Sequence, residues 1–164
     1  MNIAINGFGR IGRIFLRSAL QRGFNVVAIN DLTSASTLAH LFKYDSVHGI
    51  YPGDVTSTEN SLVIDGKEIK VLANANPEQL PWTNLAIDLV LEATGKFANK
   101  AGANKHLQAG AKQVLVSAPV ADKDVPMVVM GVNDQQIDFS STVLSNASCT
   151  TNNVAPMVKI LDDL

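Results

Sequence analysis

The stretch that most constrains this chain is Asn6-Gly7-Phe8-Gly9-Arg10-Ile11-Gly12-Arg13. It follows Asn2-Ile3-Ala4-Ile5, a short apolar run that reads as a buried strand. Beyond it, Ile11, Ile14, Phe15 and Ala19 recur at helical spacing, with Arg13, Arg17 and Gln21 on the other side. A G-x-G-x-x-G turn between a strand and a helix is the context in which that spacing holds a dinucleotide. Gly7 permits the tight turn. Gly9 leaves the backbone open to a pyrophosphate, and Gly12 lets the helix lie close to its strand. The helix N-terminus offers free N–H groups and a partial positive charge to phosphates.

Glycine loops of this kind are common, so the next strand matters. Phe24-Asn25-Val26-Val27-Ala28-Ile29 is apolar and β-branched and ends at Asn30-Asp31. Asp31 lies 19 residues past Gly12. A carboxylate there either accepts hydrogen bonds from an adenosine ribose or caps the following helix, and the glycine loop before it favours the ribose.

The chain has 164 residues, enough for one domain with a real core. With 46% hydrophobic and 17% charged residues it is not a disordered chain. The net charge of −2, with no basic stripe, argues against a nucleic-acid partner. No run approaches the roughly 20 apolar residues of a membrane span, so a cytoplasmic protein without membrane partners is expected. The single cysteine, Cys149, excludes an internal disulfide and any multi-cysteine metal site, and no metal is expected.

Ser34 to Phe42 reads as a short helix with Leu38, Leu41 and Phe42 as its apolar face. Lys43-Tyr44-Asp45-Ser46-Val47-His48-Gly49 breaks the period and reads as a loop. Leu62-Val63-Ile64 and Ile69-Lys70-Val71-Leu72 flank Asp65-Gly66, a strong hairpin signal. Ile87 to Glu92 and Gln113 to Val116 are near-continuous apolar runs, as parallel strands require. The first ends at Ala93-Thr94-Gly95 and the second at Ser117-Ala118-Pro119. Asn99 to Gln108 reads as a helix stopped by Gly110. Met127-Val128-Val129-Met130 and Thr142-Val143-Leu144 complete the strands. Alternating strands and helices, with small polar residues at the strand ends, give an α/β fold. The expected sheet is doubly wound, mostly parallel and Rossmann-type, with an inserted β-hairpin. Gly7, Asp31 and Thr94-Gly95 then face one crevice, which Ser117 joins. Thr94-Gly95 or Ser117 alone reads as an ordinary turn, but beside the glycine loop they favour cofactor contact.

Ser145-Asn146-Ala147-Ser148-Cys149-Thr150-Thr151-Asn152 follows the last strand. Ser148 is suited to cap a helix whose first turn holds Cys149, Thr150 and Thr151. A thiol at a helix N-terminus feels the positive dipole end, which favours the nucleophilic thiolate. Two readings of Cys149 stay open on these grounds, a nucleophile and a structural cysteine, though its polar neighbours argue against an apolar pocket. Pro156, inside the same helix, allows a kink or an early end there.

The segments NGFGRIGR (6–13), Asn30-Asp31, KYDSVHG (43–49), Ala93-Thr94-Gly95, Ser117-Ala118-Pro119 and SNASCTTN (145–152) occur in one order. In that order the chain resembles the glyceraldehyde-3-phosphate dehydrogenase family from Met1 to Leu164. The cysteine octapeptide is specific to that family and its erythrose-4-phosphate dehydrogenase relatives. Asn30-Asp31, Ser117-Ala118-Pro119 and Val129-Met130-Gly131-Val132-Asn133 look more like the glyceraldehyde-phosphate branch. The resemblance implies a phosphorylating aldehyde dehydrogenase of glycolysis and gluconeogenesis. Its cofactor would be NAD, its partners a phosphorylated aldehyde and inorganic phosphate, and its full-length form a homotetramer. It matches Cys149 to the nucleophile and Ser148 and Thr150 to the substrate-phosphate site. It matches Gly7, Phe8, Gly9, Arg10, Ile11 and Gly12 to the pyrophosphate loop and Asp31 to the ribose ligand.

Some positions depart from the family pattern. Asn74-Ala75-Asn76-Pro77 stands where relatives carry an arginine-bearing stretch near the adenine, so no cofactor contact is assigned to Ala75. Asn153 replaces a second cysteine. The family's general-base histidine lies well beyond the cysteine, and none of His40, His48 and His106 matches it. Each is expected to be a surface or capping residue. The expected division is a dinucleotide domain over 1–147 and the first helix of a catalytic domain over 148–164. These 164 residues alone are then not competent for full turnover. The alternative is a self-standing NAD-binding regulatory module. The apolar helix pattern that continues to Leu164 without a glycine or proline stop favours a longer protein.

Overall fold

The computed structural model describes residues 1–164. In chain order the elements begin β1 (Asn2–Asn6), α1 (Arg10–Gln21), β2 (Asn25–Asn30) and α2 (Ala35–Lys43). A short ribbon of β3 (Tyr44–Asp45) and β4 (Gly49–Ile50) follows, then β5 (Val55–Ser57), β6 (Ser61–Ile64) and β7 (Lys67–Leu72). The second half holds β8 (Leu89–Glu92), α3 (Lys100–Gln108), β9 (Gln113–Val116), β10 (Val143–Ser145) and α4 (Cys149–Asp162).

Eight strands form one sheet in the order β10-β9-β8-β1-β2-β7-β6-β5. From β7 to β10 every pairing is parallel, and β6 and β5 extend the sheet antiparallel. The chain moves outward from β1 through β2 to β7, then returns to β8 on the other side of β1. The order reverses between β1 and β8, and at such a reversal the strand carboxyl ends open a crevice. The fold is therefore the doubly wound α/β sheet with an inserted hairpin that the sequence predicts.

Alternation along the strands divides the core between the two faces. Ile3, Ile5, Ile29 and Leu91 pack with Phe8, Leu16, Leu38 and Phe42 under α1 and α2. Ala4, Ala28, Val90 and Val114 pack with Trp82, Ile87 and Ala103 under α3. In the hairpin, Asp65 and Gly66 have φ of 50° and 79°, the two left-handed residues of a type I′ turn. Gly110, with φ of 103°, stops α3 as expected.

The structure corrects three local readings and decides against an early end at Pro156. The buried face of α1 is Gly12, Leu16, Arg17 and Ala19, while Ile11 is exposed. Arg17, expected on the polar side, is buried because its guanidinium gathers backbone carbonyls. It donates to Phe42 O (2.7 Å), Gly49 O (3.0 Å) and His48 O (3.3 Å), and lies over the rings of Phe42 and Tyr51. On α2 the buried face is Ala35, Leu38, Ala39 and Phe42, and Leu41 is exposed. Met127–Met130 is not a strand. Only an isolated bridge joins Met127 to Ser145, because the Asn133 side chain takes the Val129 N–H (2.8 Å) and donates to Met127 O (2.9 Å). Finally, α4 runs past Pro156, which forgoes the N–H bond to Asn152, and ends at Asp162. No residue of α4 is buried, and no helix is long and apolar enough to cross a membrane.

Candidate cofactor site

The last residues of three adjacent strands stand side by side. Asn6 is in register with Asn30 on one side and with Glu92 on the other. Ile5, Ile29 and Leu91 face α1 and α2, so alternation turns these three polar side chains toward α3. All three are buried. The Asn30 amide donates to Asn6 Oδ1 (2.7 Å), and the Asn6 amide donates to Glu92 Oε2 (2.6 Å). At the other end Asn30 is tied to the backbone of Asn74, donating to its carbonyl and accepting its N–H, both at 2.9 Å. Four neighbouring strand ends are thus joined by one line of side-chain hydrogen bonds.

Glu92 closes the line and has no cationic partner. Besides Asn6 it accepts from His106 Nε2 (3.0 Å), the Thr94 N–H (2.8 Å) and the Thr94 hydroxyl. Trp82 Nε1 donates to His106 Nδ1 (3.0 Å). An indole N–H only donates, so Nδ1 is the acceptor and Nε2 carries the proton given to Glu92. His106 is fully buried, which corrects the surface or capping role expected for it. Burial works to raise the Glu92 carboxyl, but the hydrogen bonds from His106, Thr94 and Asn6 outweigh it and hold the group below the usual glutamate range.

Above this line lies a crevice of about 370 Å³, lined by residues that include Gly7, Gly9, Asn30, Asp31, Asn74, Thr94 and Lys96. Gly7 has φ of 92°, and a Cβ there would come within 2.7 Å of Thr94 N. A Cβ at Gly12 would overlap the Gly7 carbonyl, so close helix–strand packing demands glycine. At Gly9 no atom lies within 4 Å of the place a Cβ would take. That leaves room for a phosphate over the start of α1. Ser34, Asn99 and Ser148 cap α2, α3 and α4, whereas α1 begins at Gly9 with no side-chain cap. Its first N–H groups have no side-chain acceptor, which fits a pyrophosphate.

Asp31 does not cap α2. Its carboxylate accepts the Phe8 N–H (2.8 Å) and the Thr33 N–H (2.9 Å), which fixes it at the rim of the crevice with lone pairs to spare. Phe8 contributes only backbone, since its ring is buried against Phe42. Arg10 and Ile11 are exposed at the start of α1 outside the crevice lining, and Gly95 is an exposed left-handed turn beside Thr94. Ser117 is not in the crevice. It follows β9, with its N–H on Glu92 O (2.9 Å). Asn74 and Ala75 do line it, so the loop after β7 forms part of the wall. A larger cavity of about 680 Å³ lies between α2 and β5–β6. It gathers no strand carboxyl ends of the parallel sheet, and the chemistry favours the smaller crevice.

The cysteine segment leaves β10 at the same edge of the sheet. Ala147, with φ of 55°, turns the chain, and its N–H is held by Ser145 Oγ (3.0 Å). The Ser148 hydroxyl accepts the Thr151 N–H (2.9 Å) and pairs with the Thr151 hydroxyl (2.7 Å), so it caps α4 as expected. Asn152 ties the turn by donating to Asn146 O (2.7 Å). Cys149 is the first residue of α4 and is exposed, and Thr150 beside it is exposed too.

A doubly wound sheet, a glycine loop at its switch point and a carboxylate at the end of the next strand define a dinucleotide-binding domain. A family model described as "Glyceraldehyde 3-phosphate dehydrogenase, NAD binding domain" matches residues 1–100. Glyceraldehyde-3-phosphate dehydrogenase of Thermotoga maritima is 54% identical over 164 residues, covering 98% of this chain and 49% of the relative. The enzymes of Clostridium acetobutylicum (56% over 162 residues) and Geobacillus stearothermophilus (51% over 165 residues) match over 98% and 99% of the chain, and over 48% and 49% of their own lengths. The chain belongs to the glyceraldehyde-3-phosphate dehydrogenase family, carries its NAD-binding domain, and spans about half the length of the curated relatives it matches.

The position of Glu92 sets an acid limit. Its folded carboxyl is held below the unfolded value, so its stabilisation is present above the unfolded value and lost as pH falls through the folded one. Urea unfolding of Glu92→Gln and wild type is expected to show a stability gap that is constant between about pH 6 and 7 and shrinks below about pH 4. A gap that stays constant or widens in acid would contradict an ionised Glu92.

Proposed function

We propose that this chain is the cofactor half, with its nucleophile attached, of a phosphorylating glyceraldehyde-3-phosphate dehydrogenase. The observation that carries the reading is the common edge. The glycine loop, Asp31, Thr94 and the Cys149 helix all follow carboxyl ends of parallel strands in one sheet. Asp31 on the β2 side would accept hydrogen bonds from the adenosine ribose. The start of α1 at Gly9, Arg10 and Ile11 would hold the pyrophosphate. The rest of the dinucleotide would then run past Thr94 and Gly95 toward Ser117 and Cys149. Residues 1–147 form the proposed cofactor domain, and 148–164 the first helix of the catalytic one.

In this reading Cys149 Sγ attacks the carbonyl carbon of the phosphorylated aldehyde and forms a hemithioacetal, with the Cys149 N–H at the helix start facing the oxyanion. NAD supplies the hydride acceptor. The resulting thioester is released by inorganic phosphate as an acyl phosphate, returning the thiolate. Ser148 and Thr150 flank Cys149 at the helix start and would line the place of the substrate phosphate. No histidine here has a place in that proton transfer, so full turnover is assigned to the longer protein, acting in the cytoplasm as a tetramer. A self-standing regulatory module or an erythrose-4-phosphate enzyme has no specific observation in its favour.

Two measurements test the reading. Asp31→Ala should weaken NAD by about 1–3 kcal/mol in a calorimetric titration, through unmade ribose bonds. Equal affinity in both proteins, or preference for NADP beside that carboxylate, would remove Asp31 from the site. Cys149 is the only thiol, so mass spectrometry reads its alkylation cleanly. Iodoacetamide should modify it faster at neutral pH than free cysteine. A rate no faster than free cysteine would deny that the helix start activates it.

A further inference from the structure

The sequence marks Thr94 as a cofactor contact but gives Glu92 no part. We infer that Glu92, as a buried carboxylate, is the positioning residue of the cofactor crevice, setting the backbone of Thr94 before any dinucleotide arrives. Four donors converge on it from three elements: the end of β1, helix α3, and two from the loop after β8. Only the loop is free to move, because Asn6 lies inside a ladder and His106 is held by Trp82. The Thr94 loop, though exposed, thus takes its place from a charge beneath it. Thr94 Oγ1 in turn accepts the Lys96 N–H (3.0 Å), so the same charge fixes the next turn of the crevice wall. Asp31 stands apart, since its bonds go to Phe8 and Thr33 and none reaches the Glu92 line. The crevice therefore has an adenosine side, where main-chain N–H groups hold the Asp31 carboxylate, and a β8 side that Glu92 holds directly, and Glu92 reaches the first only through two further side chains, Asn6 and Asn30.

Glutamine at this position keeps the shape but brings two donors into a site where every partner donates. Either the Thr94 N–H is released, or the new amide faces Asn6 and His106, and turning Asn6 over sets it against Asn30 while His106 stays held as a donor by Trp82. The inference rests on the reading of Thr94 as a cofactor contact, and the experiment separates the two. Glu92→Gln is titrated with NAD and with AMP, alongside amide spectra of the wild type with and without NAD. The expected result is NAD affinity about tenfold lower or worse, AMP affinity within about threefold, and a Thr94 amide shifted by NAD in the wild type. Unchanged NAD affinity, or NAD and AMP falling together, overturns the positioning role and leaves the site reading standing. A Thr94 amide that NAD does not shift overturns both. Should Glu92→Gln fail to fold, hydrogen exchange in the ligand-free wild type decides. The Thr94 N–H is expected to be protected well beyond that of Gly95 between the two bonded amides, and exchange at the rate of an open loop overturns the inference.

Discussion

The structure depends on a charge that has no counter-ion. Glu92 sits at the carboxyl end of β8 and is satisfied only by neutral donors. A buried carboxylate is costly unless every lone pair is used, so these donors are held to their positions. Through Asn6 the constraint crosses to β1, through Asn30 to β2, and through Asn74 to the loop after β7. Those four strand ends are the walls of the crevice. Main-chain ladders fix how the strands lie beside one another. The side-chain line fixes where their ends stop and turn.

On that base the glycine loop does its work by leaving things out. Gly7 and Gly12 keep α1 tight against β1 and the Thr94 loop, and Gly9 leaves an open face above an uncapped helix start. The electrostatics of the crevice then divide by place. The start of α1 favours anions. Asp31 sits to one side, with hydrogen-bond acceptors for hydroxyl groups. A phosphate next to Asp31 would be repelled, so the same geometry that suits a ribose disfavours a phosphorylated one.

Local features were legible because their causes are local. The Asp65-Gly66 turn, the Ser148 cap, the stop at Gly110 and the three loop glycines all follow from neighbours a few residues apart. The Glu92 line was not legible, because it needs strand order and register. Asn6, Asn30 and Glu92 are far apart in sequence and become one row only when β2 and β8 flank β1. His106 was misplaced for the same reason, since its partners Trp82 and Glu92 come from other segments. Arg17 shows that a charged residue on the polar arc of a helix is buried when a loop wraps it with carbonyls. Met127–Met130 had the composition of a strand, but the Asn133 side chain takes up its backbone groups.

In the proposed function the dinucleotide lies across the carboxyl ends of β2, β1 and β8. The most direct test of that placement is a residue-by-residue map of amide shifts as NAD is added to the ¹⁵N-labelled chain. The largest changes are expected at Gly9, Arg10, Ile11, Asp31 and Thr94. Shifts gathered instead at Lys43, Val55 and Thr56, around the larger cavity between α2 and the hairpin, with Gly9 and Arg10 unmoved, would contradict it.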